Sequence, residues 1–182
     1  MQALELLLQR NSFNQLMEPA PSTEQLDIIL DAAVCVPDHG ALKPWRFIVF
    51  QDQALCDLGE IFAEAAELQK AAPDLVEKAK LMPLRAPLVI AIIADIKEST
   101  KIPRQEQLLT AGCCVHAMQM AAVAQGFDGI WRSGALAYDA HVKQQFKLKA
   151  EDEIVGFLYL GTAKSAVPQK KRDKGSAFTQ IW

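Results

Sequence analysis

Apolar positions along the chain recur with two different periods. Leu4, Leu7 and Leu8 share one helical face and predict a short first helix ending near Arg10. A turn-rich stretch closes on Pro19 and Pro21. Ser22 then reads as an N-cap, with Gln25 at capping-box spacing. Leu26, Ile29, Leu30 and Ala33 give the helix it opens one apolar face until Pro37 stops it. Residues 38–44 form a loop around Gly40, and residues 45–50, aromatic and β-branched, predict a strand. Helices follow over about 54–70 and 73–84. Residues 88–94 are an unbroken apolar run rich in β-branched side chains, the pattern of a central strand buried on both faces.

The segment 103–125 carries no charge between Glu106 and Asp128. Pro103 suits the first turn of a helix and Gly126 its C-terminal cap. A helix apolar around most of its circumference is buried in a core or in a subunit interface. Its length would span a bilayer, but Gln107, Thr110, His116, Gln119 and Gln125 make it too polar for that. Residues 127–132 predict a strand, about 139–146 a helix, and 154–160 a last strand closed by Gly161. Strands mingle with long helices without regular β-α-β alternation, which defines an α+β fold with the sheet flanked by helices. The organisation expected is one domain over 1–162 and an arm over 163–182. The arm is basic at Lys170, Lys171, Arg172 and Lys174 but ends in Phe178, Ile181 and Trp182, so it is expected to pack on a partner subunit.

Composition narrows the function classes. The chain has 182 residues, 51% of them hydrophobic, and a formal net charge of −3. There is no basic excess to hold a nucleic acid, and the first ten residues lack the basic start of a secretory signal. The four cysteines form no CxxC pair, and two are adjacent. The expectation is a reduced, cytoplasmic protein bound to neither membrane nor nucleic acid. There is no GxGxxG, Walker, GxSxG or HExxH sequence. Cys113, Cys114 and His116 lack the further ligand pair that a metal site needs, so no metal is expected.

Three segments carry polar chemistry. Arg10-Asn11-Ser12 puts a guanidinium and a hydroxyl where they can grip one phosphate. Residues 37–45 are a donor-rich loop containing His39. Residues 129–134 place Trp131, Arg132 and Ser133 at a strand end between glycines. Taken singly, each also fits a solvated arginine or an ordinary turn.

In their order and spacing, these segments resemble the nitroreductase-like FMN flavoproteins, most closely their compact bacterial NAD(P)H nitroreductases. The likeness runs over nearly the whole chain and includes Arg10-x-Ser12, Pro44-Trp45 before a strand, residues 121–126, 129–134 and 155–162. It implies a homodimer with a central mixed or antiparallel sheet and FMN at the subunit interface. Arg10, Asn11, Ser12, Trp131, Arg132 and Ser133 would contact FMN from one subunit and His39 from its partner. Position 35 also contacts flavin in this group, often through a basic residue; here it is Cys35. The likeness further links Ala121, Ala122, Val123, Ala124, Gln125 and Gly126 to the nicotinamide cofactor, although a small-residue helix end is also good packing. Asn14 and Ala41 likewise stand where larger members carry a basic residue and an asparagine.

No protein acid, base or nucleophile is required beside a flavin, so no catalytic side chain is assigned. The activity implied is ping-pong hydride transfer from NAD(P)H to a small nitroaromatic- or quinone-like oxidant. Two other readings stay open: a flavin-binding protein with little turnover, and a cofactor-free interaction module.

Overall fold

A computed structural model describes residues 3–165 and 171–182. The elements are α1 (Ala3–Gln9), β1 (Leu16–Met17), α2 (Thr23–Val34), β2 (Arg46–Gln51), α3 (Gln53–Leu68), α4 (Pro73–Lys80), β3 (Leu88–Ala94), α5 (Arg104–Ala124), β4 (Asp128–Arg132), α6 (Ala135–Tyr138), α7 (Ala140–Gln145) and β5 (Glu153–Ala163). The five strands form one sheet in which every pairing is antiparallel. β3 lies between β2 and β5. On its far edge β5 pairs with β4 over residues 157–161 and with β1 over 162–163.

Side-chain alternation divides the core into two layers. Val89, Ala91, Ile93, Phe157 and Tyr159 point to the face covered by α3 and α7, meeting Leu55, Leu58, Phe62 and Val142. Leu88, Ile90, Ile92, Leu158 and Leu160 point to the opposite face, meeting Leu26 and Ile29 of α2 and Cys114, Val115 and Met118 of α5. All seven residues of β3 are buried, which is why its sequence is apolar without alternation.

Two features aim β4 at the site. Gly129 is required by close approach: a Cβ there would stand 2.8 Å from Leu160 Cδ2 and 2.9 Å from the Tyr159 carbonyl oxygen. In the β3–β5 ladder, Ile92 faces Gly156 while Ile93 faces Ile154, so Val155 is an extra, unpaired residue of a β-bulge. Its freed carbonyl accepts a hydrogen bond from Trp131 Nε1 at 3.3 Å, which fixes the indole at the end of β4.

The structure departs from the sequence expectation at five places. The two-residue β1 and the single-turn α6 were not predicted. The first long strand starts at Arg46, and Trp45 precedes it in the turn, its N–H bonded to the Lys43 carbonyl. The helix expected to run to 84 ends at Lys80, because Pro83 has no N–H and its ring would clash with the carbonyl four residues back. The last strand continues to Ala163, where β1 supplies the pairing that the local sequence does not announce. Residues 171–182 lie exposed on this chain, with only a short 3-10 turn at Gly175–Phe178. Lys170, also expected in the arm, is outside the described residues.

Candidate functional site at the β4 edge

The segment after α1 runs along β4, where Phe13 N–H donates to the Gly129 carbonyl at 3.3 Å. This presents Arg10 and Ser12 side by side: Arg10 Nη1 donates to Ser12 Oγ at 3.0 Å and to the Asn11 carbonyl at 3.1 Å. Arg172 approaches the same point and donates to the Arg10 carbonyl. Burial and then the charge of Arg172 lower the Arg10 pKa. Among the described residues no carboxylate pairs with either arginine. Two guanidiniums and a hydroxyl without a counter-ion make a site for a phosphate-like anion. The sequence reading noted Arg172 only as one of several basic tail residues, because its approach to Arg10 spans most of the chain.

Trp131 and Arg132 alternate across the sheet. Trp131 faces α5, near Gly112. Arg132 faces α3, with Cζ 5.6 Å from the Tyr159 ring centroid, a cation–π distance. Arg132 Nη2 donates to the Asn14 carbonyl and to Asn14 Oδ1, both at 3.3 Å, while its Nε is buried with no hydrogen-bond partner among the described residues. Burial and then nearby Arg85 lower the Arg132 pKa. Burial also pushes the Tyr159 phenol up to about 12, so it stays protonated at neutral pH. Ser133 is exposed beside Gly134, whose φ of 79° lies in the left-handed region.

Cys35 caps α2 and is exposed, and His39 sits in the 3-10 turn His39–Ala41. His39 Nδ1 lies 2.7 Å from Glu106 Oε2, and Thr110 Oγ1 donates to the Pro37 carbonyl at 3.3 Å, so both contacts tie this loop to α5. Among the described residues no hydrogen bond joins Cys35 or His39 to the arginine cluster. Their neighbours Val36 and Pro37 line an apolar cavity of about 590 Å³ together with Trp131 and with Leu109, Cys113 and His116 of α5.

Residues 121–126 are engaged by the fold. Ala122 is buried in the core, Gln125 Nε2 donates to the Gln25 carbonyl at 3.1 Å, and Gly126, with φ 90°, ends α5. The α5 thiol at Cys114 is pushed up to about 12, first by burial, and is therefore no nucleophile. Among the described residues no group of three or more His, Cys, Asp or Glu side chains gathers to hold a metal.

The site is thus an antiparallel sheet edge that carries arginines with no ion-pair partner among the described residues. The Nitroreductase family model matches residues 7–162, and the chain belongs to the nitroreductase family. It is 48% identical over 162 residues to "Putative NAD(P)H nitroreductase YdjA" of Escherichia coli K12, covering 89% of this chain and 88% of that one. The fold matches a nitroreductase-like family protein from Bacillus cereus with a TM-score of 0.85 at 20% identity, over 100% of this chain and 96% of that chain. It also matches a protein described as an FMN-dependent nitroreductase from Clostridium difficile R20291. There the TM-score is 0.66 at 20% identity, over 92% and 91% of the two chains.

Proposed function

We propose that the chain is a cytoplasmic FMN-dependent oxidoreductase that passes electrons from NAD(P)H to a small nitroaromatic- or quinone-like acceptor. The observation that carries this reading is the uncompensated Arg10–Ser12–Arg172 cluster beside an Arg132 whose buried Nε lacks a partner among the described residues. A buried donor such as Arg132 Nε is costly unless an acceptor meets it, and the Arg10–Ser12–Arg172 cluster offers an anion charge-assisted hydrogen bonds. FMN has a phosphate for the first cluster and ring carbonyls for donors at the β4 end. The fit is therefore chemical as well as familial.

Arg10, Ser12 and Arg172 would hold the phosphate, while Trp131, Arg132 and Ser133 would flank the flavin. When bound, FMN supplies the hydride-accepting and hydride-donating centre. The chain's own residues orient it, and Arg132 stabilises negative charge near the ring. Among the described residues Cys35 and His39 make no hydrogen bond to those arginines, and a homodimer in which the partner presents His39 would bring it to the flavin. Residues 121–126 remain a proposed contact for the nicotinamide donor. Donor and acceptor share one cleft, so the donor leaves before the acceptor enters.

The test is flavin uptake followed by initial-rate kinetics. Retention of about one FMN per chain after desalting, with parallel double-reciprocal lines for NAD(P)H against a quinone, is expected. Absence of flavin uptake overturns the reading; intersecting lines overturn the ping-pong order alone. Full FMN occupancy with no acceptor turned over would instead establish the flavin carrier.

A further inference from the structure

Asn14 lies between two backbone ties to the sheet. Before it, Phe13 N–H donates to the Gly129 carbonyl of β4 at 3.3 Å. After it, the Gln15 carbonyl accepts from Lys164 N–H at 3.4 Å, and Leu16 pairs with Ala163 of β5. These ties fix the backbone of residue 14 beside the end of β4, where it meets Arg132. Arg132 Nη2 donates to the Asn14 carbonyl and to Asn14 Oδ1, both at 3.3 Å. The guanidinium also lies over the Tyr159 ring, with Cζ 5.6 Å from its centroid. One end and one face of the group are therefore held by the chain itself. The buried Nε is still a donor without a partner among the described residues, which points to a ligand.

The side chain that holds this arginine is an amide. Asparagine accepts hydrogen bonds as a carboxylate does but brings no charge. Arg85 and Tyr159 are the titratable groups that bear on Arg132, and among the described residues no carboxylate pairs with it. Held in this way, the guanidinium keeps its full charge for a ligand. Two-electron reduction leaves a flavin ring negatively charged near neutral pH, and a fixed cation beside the ring favours that form. We propose that Asn14 is a positioning residue: it holds Arg132 at the end of β4 without neutralising it, so that the arginine favours the reduced form of bound FMN. The inference rests on the flavin reading and deepens it, by giving position 14 control over how tightly each redox form is held.

The readout is the dissociation constant of oxidised FMN divided by that of reduced FMN, from calorimetric titrations of flavin-free protein under nitrogen. Both forms carry the same phosphate. Damage to the phosphate grip or to the fold therefore weakens both and leaves the ratio where it was. Asn14→Asp keeps the shape and the acceptors but adds a charge that neutralises Arg132. Its ratio should fall about tenfold from the wild-type value, equivalent to about 30 mV in the potential of the two-electron couple. Asn14→Ala loses Oδ1 and keeps the carbonyl bond, so its ratio should fall by less, about threefold. With Arg132→Gln already in place, Asn14→Ala should lower the ratio no further, because the two residues act as one unit. A further fall in that background overturns the positioning role, by showing that Asn14 acts on the flavin directly. An unchanged ratio in Asn14→Asp or in Asn14→Ala overturns the inference and leaves the flavin reading standing. A wild type that binds neither form of FMN overturns both.

Discussion

Arg10 and Arg132 are each partly stripped of water, and each stands near a second arginine instead of a carboxylate. That arrangement is unfavourable in the free protein and becomes favourable when an anion arrives, so the residues most strained electrostatically are the ones that bind. Arg10→Ala should weaken FMN binding by about tenfold to a hundredfold, the range for a hydrogen bond to a charged group at about 1.5–3 kcal/mol. Fluorescence titration of flavin-free protein measures it, and riboflavin supplies the control. The wild type should prefer FMN to riboflavin, and Arg10→Ala should lose most of that preference. If the variant discriminates as well as the wild type, the phosphate lies elsewhere. Arg10 and Ser12 were legible in the sequence because they are two residues apart. The Arg132–Asn14 bond was not: its partners are separated by 118 positions, and only the sheet brings them together.

Elements were legible where their ends are chemically marked. The Ser22–Gln25 capping box forms as the spacing predicts, with Gln25 N–H on Ser22 Oγ at 3.4 Å and Ser22 N–H on Gln25 Oε1 at 2.9 Å. α5 runs between Pro103 and a glycine-capped end, and β3 shows its burial in its composition. β1 has no such mark, since two residues become a strand only by meeting Thr162 and Ala163. The polar side chains of α5 argue against a membrane span in the sequence without showing their partners, yet they position its neighbours. Buried Gln119 donates to the Gly129 carbonyl at 3.2 Å and so tethers β4 to the helix. The Gly129 carbonyl keeps its bond from Phe13 N–H, so Gln119→Ala should cost about 0.5–1.5 kcal/mol, the net worth of one hydrogen bond. Chemical denaturation reads that loss, and a stability within error of the wild type would show that the tether is dispensable. A second join, between the end of β3 and the turn before β5, depends on pH. Burial alone would raise the Asp95 pKa, but hydrogen bonds from Lys149 and Lys97 hold it below the ordinary carboxylate value. A folded-state pKa below the unfolded value, about 3.9, gives stability present above that pH and lost as pH falls through the folded value. Asp95→Asn should therefore be less stable than the wild type at pH 7, with the gap closing towards pH 3. A gap independent of pH would rule out this linkage.

Over the whole molecule, apolar side chains are left in water at several places, α5 and the arm among them. Leu109 of α5 is 63% exposed beside the Val36–Trp131 cavity, and Phe178, Ile181 and Trp182 of the arm are each more than four-fifths exposed. Large exposed apolar side chains can mark an interaction surface, and Leu109 shares its cavity with Trp131, which is proposed to bind flavin. The same face carries Cys35 and His39, which one chain does not bring to its own arginine cluster. A twofold axis across α5 would cover the apolar face and supply His39 from the partner in one step. The expected outcome is a dimer in light-scattering chromatography at micromolar concentration, and Leu109→Asp should shift it towards monomer. Dimerisation alone would not show that the site is shared. If it is, FMN retention must fall with dilution through the dimer dissociation constant, and Leu109→Asp must lose FMN at concentrations where the wild type keeps it, although residue 109 is not proposed to touch the cofactor. A monomer that holds FMN equally well at every concentration would place the whole site in one chain, leaving His39 to its contact with Glu106.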